Sequence, residues 1–502
     1  MTELSPLLGN DLAGGFAAAL EPLNLLFGLV GVTAGTAIGV LPGIGPALAI
    51  SMLLPVTFGM DPVGAFILFG GIYYGAMYGG STTSILIKMP GEASSVVTAL
   101  DGFEMARSGR AGAALATAAI GSFIAGTFAT VMLMVLAPAL VELALEFGPT
   151  EYFALMALAL MSVGGLSGGS GSKGLVAILG GLALGTIGID VQTGQPRFTF
   201  GVPGLFGGIN VVIATVGLFA VGEVFWFAAT SQATGLRSLP VDAWVKLNRQ
   251  DWRRSIPAWL RGTFIGFFAG VLPGAGATVA SFLSYTVERR MAARPELFGK
   301  GAIEGVAGPE AANNASAGGS LVPLLALGVP GSGTTAVMLA AFQMYGLQPG
   351  PLLFTQNSNL VWGLIASLYV SNVLLLVLNL PMIRVWVRLL QIPRPLLFAA
   401  VLAFATLGVY TLNNNIFDVG LAYGLGVVGF FMRRHNIPLA PTILAVVLGP
   451  LLEQEFRRAM SISGGDLTVF LERPVSAAIL GTVVLFAIYP VVKRSVEERR
   501  ES

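Results

Sequence analysis

Short hydroxyl and amide side chains gather where proline and glycine interrupt apolar sequence. Ser81, Thr82 and Thr83 precede Pro90-Gly91; Ser94 and Ser95 follow it. Asn313, Asn314, Ser316 and Ser320 precede Pro330-Gly331; Ser332, Thr334 and Thr335 follow it. Such groups donate hydrogen bonds to an oxyanion and offer oxygens to a small cation, so the chemistry on offer is recognition. Three charged residues share these stretches: Lys88 and Glu92 flank Pro90-Gly91, and Glu310 comes just before Asn313-Asn314. Ionisable residues in apolar sequence are functional candidates by default. Lys88 could attract an anion, Glu92 could take a cation or a proton, and Glu310 could line the same site. The structural alternative is that Lys88 pairs with Glu92 or snorkels to the membrane surface, while the hydroxyls serve helix contacts.

The elements that must position these groups come in two copies. Gly35-x-x-x-Gly39-Val40-Leu41-Pro42-Gly43-Ile44-Gly45-Pro46 returns as Gly266-x-x-x-Gly270-Val271-Leu272-Pro273-Gly274-Ala275-Gly276. Each copy precedes a second shared phrase: Gly79-Gly80-Ser81 with Met89-Pro90-Gly91-Glu92, and Gly318-Gly319-Ser320 with Val329-Pro330-Gly331-Ser332. Gly-x-x-x-Gly alone signals helix packing, and Pro-Gly alone a kink. Their joint duplication points to two related membrane halves. The stretch 259–289 is too short for two spans of about 20 residues. It reads as a re-entrant hairpin tipped at 273–276, and 24–58 as one tipped at 42–46. The stretches 82–103 and 321–345 read as hairpins tipped at 90–92 and 330–332. Broken backbone at membrane depth survives only where protein buries it or it lines a wet cavity. The four tips therefore imply a polar site near the midplane. Helix N-termini there suit a carboxylate. Unwound carbonyls at Gly39, Pro42, Gly43, Gly45, Gly270, Pro273, Gly274 and Gly276 suit Na+.

Composition sets the class. The 502 residues are 55% hydrophobic and only 11% charged, against about 25% charged in soluble domains. The expected fold is an all-α polytopic membrane protein with about 10–12 transmembrane segments. Net charge is +1, which leaves no nucleic-acid footprint. With no cysteine and one histidine, His435, there is no disulfide framework, thiol catalysis or Cys/His metal site. No cofactor is expected beyond a coupling Na+ or H+. The N-terminus lacks a positive n-region, so no cleavable signal peptide is expected.

Lysine and arginine mark the cytoplasmic side. None occurs before Lys88, which places the N-terminus outside; Arg107 and Arg110 place the next loop inside. Further spans are expected near 112–140, 151–167, 174–190 and 205–229. The basic stretch 230–262 reads as a cytoplasmic linker, with an interfacial helix near 244–259, between a first repeat (1–229) and a second (263–502). Arg289, Arg290, Arg294 and Lys300 follow the first phrase of the second half, where the first half has no basic residue. The loop after the second phrase reverses that bias. Opposite bias at matching positions is the signature of an inverted-topology repeat. Later spans are expected near 360–383, 396–412, 416–432, 437–452 and 474–491, with the 493–500 tail cytoplasmic. Arg457 and Arg458 then fall outside, offset by Glu453 and Glu455. Asp190 and Glu223 read as structural.

The two Gly-x-x-x-Gly-x-Leu-Pro-Gly-x-Gly phrases, Tyr78-Gly79-Gly80-Ser81, Met89-Pro90-Gly91-Glu92, Pro309-Glu310-Ala311-Ala312-Asn313-Asn314-Ala315 and 328–336 resemble the large membrane subunit of the tripartite tricarboxylate transporter family. The resemblance spans essentially the whole chain. It implies a secondary transporter of the bacterial inner membrane. Its partners would be a small membrane subunit and a periplasmic substrate-binding protein; its substrates would be di- or tricarboxylates, moved with Na+ or H+. Alternating access around the midplane site is the expected mechanism. A passive anion channel is the first alternative, though no ring of charge or filter repeat is present. An intramembrane enzyme lacks a base at membrane depth. A purely structural scaffold would leave the duplicated breaks unexplained.

Overall fold

Leucine, alanine, valine and glycine without regular polar interruption favour helices that satisfy their own backbone in lipid. A computed structural model, which describes residues 4–41, 45–166, 171–190, 192–230, 246–389 and 394–485, is helical almost throughout. In chain order the first half holds α1 (Leu4–Ala19), α2 (Pro22–Gly39), α3 (Pro46–Leu53), α4 (Pro62–Ile87), α5 (Thr98–Met105), α6 (Ala111–Ala144), α7 (Pro149–Leu166) and α8 (Gly171–Gly185). A short antiparallel pair, β1 (Gly188–Ile189) and β2 (Pro196–Arg197), precedes α9 (Val211–Thr215) and α10 (Gly222–Thr230), which a π-helical stretch joins. The second half holds α11 (Arg249–Val271), α12 (Gly276–Met291), α13 (Glu304–Leu327), α14 (Gly333–Met344), α15 (Pro351–Gln356), α16 (Ser358–Asn379), α17 (Ile383–Leu389), α18 (Arg394–Asn413), α19 (Ile416–Arg434), α20 (Leu439–Ile462) and α21 (Val469–Glu472).

Among the described residues, eight helices are long and apolar enough to cross a membrane, and five shorter apolar helices accompany them. This is the all-α polytopic fold that the composition calls for. Helix starts follow local chemistry. Pro22, Pro46 and Pro62 occupy first-turn positions, where a missing N–H costs nothing. Asp61 caps α4 by accepting from Gly64 N at 3.3 Å. Asn248 and Asp251 form a capping box that starts α11. Residues 249–262, read from the sequence as the end of the linker, are therefore the first turns of α11; 231–245 and the 493–500 tail lie outside the described residues.

The architecture sets two buried helices inside a shell. Nearly every residue of α4 and α13 is inside the protein. Packing against α4 are α2 and α16; against α13 are α11, α12 and α6, while α20 pairs with α7 and α8. Glycine permits the closest of these contacts. A methyl placed at Gly31, Gly35 or Gly39 would lie 2.5, 2.5 or 2.4 Å from the carbonyl oxygen of Leu68, Ile72 or Ala76 on α4. In the second half, a methyl at Gly262, Gly266 or Gly270 would lie 2.2, 2.2 or 2.4 Å from the carbonyls of Gly308, Ala312 or Ser316 on α13. The two Gly-x-x-x-Gly phrases thus do one packing job in both halves.

Most charge sits towards the helix ends, Arg261 in α11 and Glu310 in α13 excepted. Arg110 pairs with Asp251, Arg254 with Glu304 and Arg261 with Glu288. Glu223 pairs with Arg433, and Lys173 donates to the His435 carbonyl at 2.7 Å. Arg457 bonds Asp190 at 2.9 Å and Glu453 at 2.5 Å, Arg197 bonds Glu453 at 2.8 Å, and Arg458 bonds Glu455 at 2.9 Å. These pairs neutralise Arg457 and Arg458 locally. The Arg457 hydrogen bond holds the Asp190 carboxyl at about 2.

Candidate functional site

Helix ends interrupt the two halves at four places: between α2 and α3, where 40, 41 and 45 are described, at 88–92 after α4, at 272–275 after α11 and at 328–332 after α13. Pro42 and Gly43, candidates at the first, lie outside the described residues. The second and fourth breaks share their construction. Lys88 (φ 56°) ends α4 and Gly328 (φ 69°) ends α13, both left-handed. Next, Glu92 with Ser95 forms a reciprocal capping box on a 3-10 turn, Ala93–Val96, ahead of α5, and Ser332 with Thr335 forms one on α14. In the second box Thr335 N donates to Ser332 Oγ at 3.2 Å and Ser332 N to Thr335 Oγ1 at 2.8 Å.

Each tip is seated on its own half. A methyl at Gly91 would lie 2.2 Å from the Gly39 carbonyl oxygen and 2.7 Å from Gly80 Cα; one at Gly331 would lie 2.8 Å from the Gly270 carbonyl and 3.0 Å from Ser320 Cβ. Gly274 N donates to the Gly331 carbonyl at 3.2 Å, which ties the third break to the fourth. Gly274 (φ 82°) also packs on the Ser162 backbone, where no side chain fits.

The halves then exchange contacts. Tyr73 on α4 brings its hydroxyl to Ser332 Oγ at 3.2 Å and Ser320 Oγ at 3.0 Å. Asn313 on α13 donates from Nδ2 to Glu92 Oε1 at 3.1 Å. Counted back from the Pro-Gly tips, Tyr73 and Asn313 hold the same position in the two copies, as do Glu92 and Ser332; the carbonyls of Ile72 and Ala312, which receive Gly35 and Gly266, keep the same register. Each half's central helix therefore holds the cap of the other half's tip. Around this exchange Ser94 bonds Glu92, Thr98 bonds Glu310, and Asn314 donates to Ser122 Oγ at 2.6 Å. Glu310 Oε2, Asn313 Oδ1 and Ser316 Oγ are buried without a partner.

Not every sequence candidate faces the cluster with a free group. Ser81 Oγ turns back to the Tyr78 carbonyl at 2.7 Å, and Thr83 Oγ1 bonds the Gly80 carbonyl at 3.1 Å while abutting Gly91. Thr82 and Thr334 are buried on α4 and α14. Lys88 points away: its ammonium lies 3.9 Å from Glu104 and over the Phe103 ring, not on Glu92. Gly39 and Gly270 are committed to helix contacts, and Gly45 forms the N-cap of α3. Pro90 and Pro330 shape the tips. Gly276 (φ 58°) starts α12 just after Pro273.

Tyr73, Thr98 and Ser122 are the additions that the structure makes. Counting back from the Pro-Gly tips, rather than matching Gly79-Gly80-Ser81 to Gly318-Gly319-Ser320, places Tyr73 opposite Asn313. A cavity of about 620 Å³ also opens beside the fourth break, lined by Gly328, Val329, Gln343, Gln454, Glu455 and Arg458. Its size suits a small organic ligand.

Fold and site together define a polytopic membrane protein whose polar groups converge on broken helices inside an apolar shell. The chain belongs to the tripartite tricarboxylate transporter TctA family, whose profile matches residues 25–444. The family is one of transporters, so the chain is a transport component rather than an enzyme. A protein of Agrobacterium vitis described as "Uncharacterized 52.8 kDa protein in TAR-I ttuC' 3'region" is 49% identical over 489 residues, 96% of this chain and 97% of its own length. A second from the same organism, "Uncharacterized protein in TAR-II ttuC' 3'region", is 48% identical over 231 residues, 45% of this chain and 96% of its own length. No solved structure matches the chain.

Proposed function

We propose that this chain is the membrane carrier of a binding-protein-dependent tripartite system that imports di- or tricarboxylate anions, driven by a Na+ or H+ gradient. It sits in the bacterial inner membrane, with the N-terminus periplasmic and the C-terminus cytoplasmic. A small membrane subunit and a periplasmic binding protein are its partners. One observation carries this reading: the reciprocal exchange in which Tyr73 holds the Ser332 cap and Asn313 holds the Glu92 cap. Two halves that grip each other's broken helices suit a site that opens alternately to either side. The substrate carboxylate binds at the N-terminus of α14, where Ser332, Thr334, Thr335 and the backbone N–H groups supply donors. The cavity lined by Gly328, Val329 and Arg458 is its approach.

The test is uptake of labelled di- and tricarboxylates into proteoliposomes holding this chain and its small membrane subunit. The binding protein is added or withheld, and a Na+ or pH gradient is imposed in turn. Accumulation above equilibrium that needs both gradient and binding protein is the expected result. Equilibration without accumulation under every gradient would favour the passive channel. Inversion of the halves is tested separately with Met60→Cys and Ala292→Cys on the cysteine-free background. The two are expected to label from opposite sides.

A further inference from the structure

Glu310 lies within α13 with no exposed surface. Its Oε1 accepts the Thr98 hydroxyl, and its Oε2 meets no partner. One turn on, Asn313 is also fully buried; its Nδ2 donates to Glu92 Oε1 at 3.1 Å, and its Oδ1 meets no partner. On a helix, residues three apart lie side by side. Two acceptors with no donor thus sit together, in a cluster that also holds a second carboxyl.

No cation is available to them. Among the described residues neither Glu310 nor Glu92 forms an ion pair; on α11 and α12, Arg249, Arg253, Arg289 and Arg290 are exposed, and the half-buried Arg254 and Arg261 are committed elsewhere. Arg254 on α11 holds Glu304 at 2.5 and 2.6 Å, and Arg261 on α11 holds Glu288 of α12 at 2.5 and 2.8 Å. Asp101 on α5 accepts from the backbone of Gly299, Gly301 and Ala302 and from Tyr285 of α12. From α4 come the hydroxyls of Tyr73 and Tyr74, bonded to Ser320 and Thr130. From α6 comes Ser122, bonded to Asn314. A carboxylate buried without water or counter-charge is neutralised rather than left ionised. One proton on Glu310 Oε2 satisfies both orphaned acceptors, because it is donated to Asn313 Oδ1. Asn313 then accepts from one carboxyl and donates to the other. A metal cation would need about six oxygens; the buried orphans nearby are Glu310 Oε2, Asn313 Oδ1 and Ser316 Oγ.

We propose that Glu310 is a proton-binding site: its carboxylic acid donates to Asn313, and Asn313 links it to Glu92, which accepts from Ser94 and Asn313 at the second helix break. The proton binds and leaves at Oε2, and no other bond changes. The consequence for transport, that this proton is the coupling ion, rests on the carrier reading above; the protonation does not.

Infrared spectroscopy of the purified full chain tests the protonation directly. The wild type at neutral pH is expected to show the carbonyl stretch of a buried carboxylic acid. Glu310→Gln, neutral and nearly isosteric, should remove that band and keep a wild-type melting temperature; Glu92→Gln should retain it. Thr98→Val removes a donor that favours the ionised form, so the band should titrate about one pH unit higher. A missing band in the wild type, a band that survives Glu310→Gln, or a band abolished by Na+ at fixed pH would overturn the proposal. In proteoliposomes with the partner subunits, Glu310→Gln should exchange labelled acid across the membrane and fail to concentrate it under a pH gradient. Should the wild type move no acid while the band behaves as stated, the carrier reading fails and the proton site stands.

Discussion

Residues 88–95 and 328–335 run in one register, and their differences are chemical. Lys88 stands where Gly328 stands, Glu92 where Ser332 stands, and Ser94-Ser95 where Thr334-Thr335 stand. Both stretches end a buried helix in a left-handed residue, turn through Pro-Gly, and start again with a capping box. In the first, the cap is a carboxylate, so the chain brings its own anion to the helix start. In the second, the cap is a neutral hydroxyl, which leaves that end of α14 able to accept an anion from outside. The two breaks share one construction; one side chain separates a tip capped by a carboxyl from a tip capped by a hydroxyl.

The most direct way to break this comparison is to make the tips alike. Ser332→Glu would place a carboxylate on α14 where a substrate carboxylate is to bind. Uptake should fall by roughly a hundredfold or more, because the change removes a charge-assisted hydrogen bond and sets a like charge beside the substrate. Unchanged uptake with protein at normal levels would move the substrate away from this tip. The next effect concerns seating. Gly91→Ala would set a methyl 2.2 Å from the Gly39 carbonyl and Gly331→Ala one 2.8 Å from the Gly270 carbonyl. Overpacking on backbone should cost about 3 kcal/mol in the first and about 1 kcal/mol in the second, read from unfolding in detergent. Equal costs would mean that the tips are equally free to shift.

Smaller again is the exchange itself. Tyr73→Phe removes the hydroxyl that meets Ser320 and Ser332 at 3.0 and 3.2 Å. At about 1 kcal/mol for each of the two hydrogen bonds, uptake should drop roughly thirtyfold with little effect on the amount of folded protein. The smallest change is expected of Lys88→Gly. Glycine relieves the left-handed backbone, worth about 1 kcal/mol, and gives up a long, half-exposed pair with Glu104 and the contact over Phe103. Melting temperature should rise slightly and uptake persist, whereas a large drop in uptake would restore Lys88 as an anion-attracting residue.

What could be read from the sequence was what repeats. The Gly-x-x-x-Gly phrases and Pro-Gly tips stand out because their residue types are duplicated, and Pro90-Gly91, Pro273-Gly274 and Pro330-Gly331 mark the breaks after α4, α11 and α13. The cross-contacts were hidden because they join unlike residues. Tyr73 and Asn313 occupy one register position with different chemistry, and Thr98 meets Glu310 across 212 residues. Lys88 beside Glu92 in sequence suggested a pair, but the left-handed turn at Lys88 sends its side chain towards Glu104. Ser81 carried the right chemistry for a ligand but sits inside α4, where its hydroxyl bonds the Tyr78 carbonyl of its own helix. Asn248 and Asp251 mark the start of α11; the helix expected near 244–259 is present from Arg249 and runs on to Val271.

The glycine contacts described for the fold have a mechanical meaning. Where Gly31, Gly35 and Gly39 rest on the carbonyls of α4, and Gly262, Gly266 and Gly270 on those of α13, backbone touches backbone with no side chain between. Such a contact has no lubricant. Sliding one helix past the other by a residue would drive a neighbouring Cβ into an oxygen, so α2 with α4 and α11 with α13 form two stiff struts. Any large displacement in this molecule must therefore shear along surfaces where side chains interpose, and the joint between the struts, spanned by Tyr73 and Asn313, is such a surface.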